Sequence, residues 1–190
     1  MSPGHVAPLQ AVLVDRPILW RVVAVVAGSW ILAVSSWISA PMYPVPMTMQ
    51  SFIVLAFAGL GGARLAGAIV LTWLAQAALG LPFLADGAGG LAVFEGETSG
   101  YLAGFLVAAL ACGWLTERHA MRSLPVMFAI FMLGHALILS MGWARLSLIV
   151  GPETAWYTGV TPFLIGSVLK SVLAVAVVKL LEPMIRTLER

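Results

Sequence analysis

The chain has 190 residues, of which 61% are hydrophobic and only 9% charged, with a mean hydropathy of +1.02. A soluble domain of this size normally carries about 25% charged residues to solvate its surface, so the composition excludes a water-soluble globule and points to an integral membrane protein. The formal net charge of +2 is small; its distribution informs more than its sum, and no nucleic-acid partner is expected.

The N-terminus reads MSPGHVAPLQAVLVDRP. It lacks a basic start followed by an apolar core and a small-residue cleavage site, so the first span is expected to stay in the mature protein. Apolar runs then follow at 18–39, 50–61, 65–81, 98–116, 124–144 and 161–180. A helical span needs roughly 20 mostly apolar residues, so these predict an all-α membrane protein of six transmembrane helices. Residues 1–190 form one membrane domain with no room for a soluble one. Pro and Gly punctuate the runs: APMYPVPM after the first, GLGGAR between the second and third, LPFLADGAGG after the third and VGPE before the sixth. The second run is short for a span.

Along the first helix Ala24, Gly28, Ser36 and Ala40 form a small-residue stripe, expected to face another helix or a partner subunit. In GETSGYLAG, the spacing of Gly96, Gly100 and Gly104 predicts close helix packing, with Tyr101 lining a pocket beside them. His135, in LGHALILSMG, is expected to be a hydrogen-bonded packing residue. Cys112 is the single cysteine and lies in an apolar run, which excludes an internal disulfide and a cysteine metal cluster. No metal or cofactor is expected.

Orientation follows from the basic residues. Arg16, Arg21, Arg64, Arg118, Arg122, Lys179, Arg186 and Arg190 fall on the side of the N-terminus, and only Arg145 falls opposite. The positive-inside rule therefore predicts both termini in the cytoplasm of a multi-pass protein of the cytoplasmic membrane. Asp86, Glu95, Glu97 and Glu153 then lie in outer loops.

The tenth basic residue, Lys170, sits inside the last run, TPFLIGSVLKSVLAVAVVK. Thr161 and Pro162 read as an N-cap and first helical position, which puts Lys170 on the order of 12 Å below the outer start of the helix. An ammonium in a span costs about 2.5 kcal/mol or more unless it snorkels or finds a partner. Phe163, Gly166, Ser167, Lys170 and Ala174 share one helix face, a combination suited to the wall of a pocket. No acid lies inside any of the six runs, so an anionic or strongly polar ligand is the inferred partner. Gln50, which opens the second run with an amide that both donates and accepts, is a candidate for the same cavity.

Three segments in order, PVPMTMQ, then GLPFLADGAGGLAVFEGETSGYLAGF, then GVTPFLIGSVLK, resemble the BioY family of biotin transporters, the substrate-binding S components of energy-coupling factor transporters. The resemblance runs over most of the chain. It implies a six-helix fold that binds biotin from outside near the ends of several helices and loops. It also implies a coupling membrane subunit and two ATPase subunits as partners, or self-association where a member acts alone. With the polar residues read above, the candidate site comprises Lys170, Gln50, Ser167, Tyr101, Asp86 and Gly87, and the small-residue stripe gives Ala24, Gly28 and Ser36 as the candidate partner interface. Ser167 stands where family members often have Asp, and GETSGY, residues 96–101, stands where they often read Gly-Pro-Thr-Gly-Gly-Tyr.

Biotin offers a carboxylate, a ureido group with one acceptor oxygen and two donors, and an apolar bicycle. Lys170 could bond the carboxylate or the ureido oxygen; Gln50, Ser167 and Asp86 could take ureido donors, with Tyr101 against the rings. Another small vitamin is the alternative ligand. An intramembrane enzyme is the alternative class, but Ser140 and His135 are five apart on one helix and would not meet as nucleophile and base. The absence of a Gly-rich loop with Lys and Ser or Thr means the chain cannot power transport itself.

Overall fold

In the computed structural model, residues 7–120 and 123–187 are described. Arg122 and Arg190 lie outside them, as does the MSPGH start. The chain opens with a short helix α1 (Pro8–Val14), turns at Pro17, and continues as α2 (Ile18–Trp37). A two-stranded antiparallel hairpin follows, β1 (Ser39–Ala40) with β2 (Met47–Thr48), in the register Ser39 to Thr48 and Ala40 to Met47. Next come α3 (Gln50–Ala78), two 3-10 turns (Ala85–Gly87 and Leu91–Glu95), α4 (Ser99–Leu115), a π turn (Thr116–Ala120), α5 (Leu124–Val150), α6 (Pro152–Gly159) and α7 (Phe163–Thr187).

Five helices among the described residues are long and apolar enough to cross a membrane. The expected six become five because the second and third runs form one continuous element, α3. That element is nonetheless broken where GLGGAR punctuates the sequence. Gly62 has φ 67° and ψ −175°, a left-handed conformation that glycine adopts without steric penalty. The break restarts the helix at Ala63, whose amide donates to Glu117 Oε1 at 3.2 Å. A carboxylate suits a helix start, where unpaired amides and the macrodipole favour negative charge. Beside it, Thr116 Oγ1 donates to Ala58 O at 3.0 Å.

The two arms of α3 return to the same end of the bundle. Gln50, at the start of one, shares a cavity with Leu84 and Ala85. Trp73, on the other, donates from Nε1 to Phe83 O at 2.9 Å, and Ala77 O accepts from Gly90 N at 2.7 Å. The 82–90 loop is held from a third direction by α2, where Ser36 Oγ donates to Phe83 O at 3.0 Å.

Two helices run past their expected ends. α5 continues through Arg145 to Val150 because that guanidinium is accommodated: Nε donates to Ser99 Oγ at 3.1 Å and Nη2 to Glu95 O. α7 continues to Thr187 across Pro183, with Glu182 bridging Lys179 and Arg186, each at 3.2 Å. Its start, at Phe163, is later than Thr161, since residues 160–162 form a turn.

The fully buried side chains include Trp73, Phe131, Leu32, Leu55, Ile69 and Met127. α3 is the most enclosed long helix; α2 and α7 are the most open, with Ile18, Leu19, Ile165 and Leu169 well exposed. Lipid, as apolar as these side chains, leaves no reason to bury them. The small-residue stripe on α2 requires a correction. Gly28 and Ser36 are buried inside the fold: a Cβ on Gly28 would lie 2.7 Å from Ile69 Cδ1, and Ser36 is committed to Phe83. Small residues let α2 approach α3, so these two are not available to a partner, while Ala24 is partly exposed.

Candidate functional site

At the end of the bundle where the arms of α3 meet the 82–90 loop lies a cavity of about 190 Å³. Lys170 enters from α7. Its ammonium donates to Thr48 O at 2.5 Å, a contact spanning 122 residues of sequence that ties α7 to the hairpin strand β2. Lys170 is half-buried and makes no ion pair with a carboxylate among the described residues. Ser167, one turn earlier on α7, is 4% exposed and donates back to Phe163 O of its own helix at 2.8 Å. Its proton is thus already used.

Gln50 sits where β2 gives way to α3. Thr48 Oγ1 donates to Gln50 Oε1 at 2.7 Å, so the amide oxygen is occupied. The amide nitrogen, in a residue 4% exposed, has no hydrogen-bond partner among the described residues. Buried polar atoms are rarely left so. Among the residues lining the cavity, His135 on α5 also has a buried nitrogen, Nε2, with no partner among the described residues.

Tyr101 stands on the first turn of α4, with its ring over Gly142 of α5; a Cβ there would collide with the ring. The Tyr101 hydroxyl donates to Gly159 O of α6 at 2.8 Å, and the ring lies 6.3 Å from that of Phe163, tilted by 34°. α4 can approach α5 this closely because Gly100 and Gly104 face it: a Cβ on Gly104 would lie 2.9 Å from Ile138 Cα. Gly96, third of that series, has only ordinary contact and does not serve this packing.

Of the six expected site residues, Lys170, Gln50, Ser167, Tyr101 and Asp86 line the cavity. Gly87 is not among the lining residues. It has φ 71° and helps turn the loop that carries Asp86, itself left-handed at φ 57°. Thr48, Thr98, Phe105 and His135 also line the cavity without having been expected to. His135 does hydrogen-bond as anticipated, but it also borders the cavity. Its signal was an imidazole in an apolar run, masked by adjacent Gly134, which reads as packing. No group of three or more His, Cys, Asp or Glu side chains that could hold a metal occurs among the described residues.

Long apolar helices enclosing a polar-edged chamber define the class: a multi-span membrane protein with a small-molecule-sized cavity at one end of its bundle. The family model described as the BioY family matches residues 10–187, and the chain belongs to that family. A biotin transporter BioY from Rhizobium etli is 36% identical over 145 residues, covering 72% of this chain and 78% of that protein. One from Thermotoga maritima is 40% identical over 88 residues, covering 46% of this chain and about half, 52%, of that relative. The fold is similar to a solved S-component for biotin from an ECF-type ABC transporter. The TM-score is 0.77 at 22% identity, over 87% of this chain and 92% of that one.

Proposed function

We propose that this chain binds biotin from the outer face of the cytoplasmic membrane and takes it up as the substrate-binding S component of an energy-coupling factor transporter. Family membership and the names of its relatives support the ligand. The observation that carries the reading is a cavity lined by aromatic and aliphatic side chains together with Lys170, whose ammonium has no acid partner, and Gln50 and His135, whose Nε2 atoms have no hydrogen-bond partner, among the described residues. Biotin complements each part. Its carboxylate neutralises Lys170, its ureido group meets the amide, and its bicycle and valeryl chain lie against Tyr101 and Phe163. The protein itself performs no chemistry on the ligand, and a coupling membrane subunit with ATPase subunits supplies the drive. Titration of biotin into detergent-purified protein should saturate at one ligand per chain. Tighter binding of another vitamin in the same titration would move the substrate, and no binding of any vitamin would overturn the reading.

The same reading has six membrane crossings, with the arms of α3 entering and leaving around Gly62, and both termini in the cytoplasm. Cysteine placed at exposed Thr154 on α6, in a variant lacking Cys112, should react with an impermeant maleimide added outside intact cells; cysteine at exposed Arg64 should not. The reverse pattern would invert the orientation.

A further inference from the structure

We infer that His135 is a ligand-contacting residue whose ring Nε2 accepts a hydrogen bond from an N–H of the bound molecule, while the Gln50 amide beside the same cavity donates to that molecule's carbonyl. The inference deepens the biotin reading and rests on it. His135 is 3% exposed, so its ring is out of water; the residue lines the cavity, and its buried Nε2 has no partner among the described residues. The other ring nitrogen is held: Nδ1 lies 3.1 Å from Phe131 O and 3.0 Å from Ser171 Oγ. A carbonyl oxygen can only accept, so the Phe131 contact is satisfied in the tautomer with the ring proton on Nδ1, which is the tautomer of this assignment, with the serine oxygen as a second acceptor. Nε2 then carries the ring's free lone pair. Gln50 presents the opposite polarity. Its oxygen is taken by the Thr48 hydroxyl, leaving the NH2 group as the free donor.

One buried acceptor and one buried donor in a common cavity match the edge of a cyclic urea, which offers an N–H next to a C=O. Ser167 on α7 gives its proton to Phe163 O, so toward a ureido N–H it offers only the lone pairs of an uncharged hydroxyl. His135 on α5 adds a second uncharged acceptor. In this geometry the ureido end lies toward α5 and Gln50, and Lys170 is left for the carboxylate.

Biotin affinity of wild type, His135→Leu and His135→Gln, measured in detergent, tests the assignment together with biotins methylated at one or other ureido nitrogen. Leaving a buried partner unsatisfied is worth roughly a tenfold loss or more, so His135→Leu should bind biotin about tenfold or more weakly. His135→Gln, whose amide oxygen can replace the lone pair, should recover part of it. One N-methyl biotin should bind the wild type much more weakly than biotin does, and this discrimination should vanish in His135→Leu. Should the leucine variant not fold, wild-type protein with 15N-labelled imidazoles gives the same answer: the buried histidine's unprotonated nitrogen should shift on biotin addition. A wild type that binds biotin, with an unmoved imidazole resonance or with His135→Leu equal to wild type and N-methyl discrimination intact, overturns this assignment alone. A wild type that binds no biotin overturns the functional reading and this assignment with it.

Discussion

Lys170→Met is expected to weaken biotin binding by about tenfold to over a hundredfold, since a hydrogen bond to a charged group contributes roughly 1.5 to 3 kcal/mol. Methionine keeps the length and removes the charge. Fold stability should change little, because two effects oppose each other: a costly half-buried ammonium is removed, and Thr48 O loses its donor. Ser167→Ala should weaken binding much less, about threefold or under, because its hydroxyl already serves Phe163 O within α7. Biotin methyl ester tells the carboxylate from the ureido oxygen as the partner of Lys170. It should bind wild type weakly and lose little further in Lys170→Met; additive losses would instead mark independent contacts. Equal biotin affinity in wild type and Lys170→Met would remove the lysine from the site.

A substitution at the opposite end of the bundle should be the most damaging to the fold. A Cβ on Gly113 of α4 would lie 2.6 Å from both Ala63 Cα and Gly62 C, and nearer still to Ala63 N. These are backbone atoms at the break in α3, so no side chain can swing aside. Gly113→Ala must push α4 off that break, disturbing the Thr116 bond to Ala58 O and the Glu117 bond to Ala63 N. Overpacking of this kind costs about 1 to 3 kcal/mol, occasionally more. Thermal unfolding in detergent should show a drop of several degrees with a smaller monodisperse yield. Gly96→Ala is the control: its Cβ would meet Val93 O at 3.4 Å, an ordinary contact. Equal stability of Gly113→Ala and wild type would mean that α4 and α3 do not meet this closely.

What the sequence made legible follows from how strong each local signal is. Long apolar runs leave lipid as the only solvent that suits them, so the helices were readable to within a few residues. Their ends were not where a charge found a tertiary partner, as Arg145 did with Ser99 and Glu95. The break at Gly62 was legible as Gly-rich punctuation, although its geometry depends on Glu117, more than fifty residues away. Polar residues within or at the ends of apolar runs named part of the cavity lining: Lys170, Gln50, Ser167 and Tyr101. What stayed hidden is which way a side chain turns. The α2 stripe could serve a partner or a neighbouring helix, since small residues permit either approach, and only the fit of Ile69 against Gly28 decides between them. His135 was hidden similarly, because its Nδ1 serves the helix bundle while the residue also lines the cavity.

Whether biotin sits in this cavity is decided by a structure of the biotin-loaded protein. One biotin is expected between α7 and α5, its carboxylate within about 3 Å of Lys170 Nζ and its ureido group at Gln50 and His135. Biotin bound outside this cavity, or bound within it with Lys170 and His135 Nε2 both out of contact, would show that these residues do not form the site.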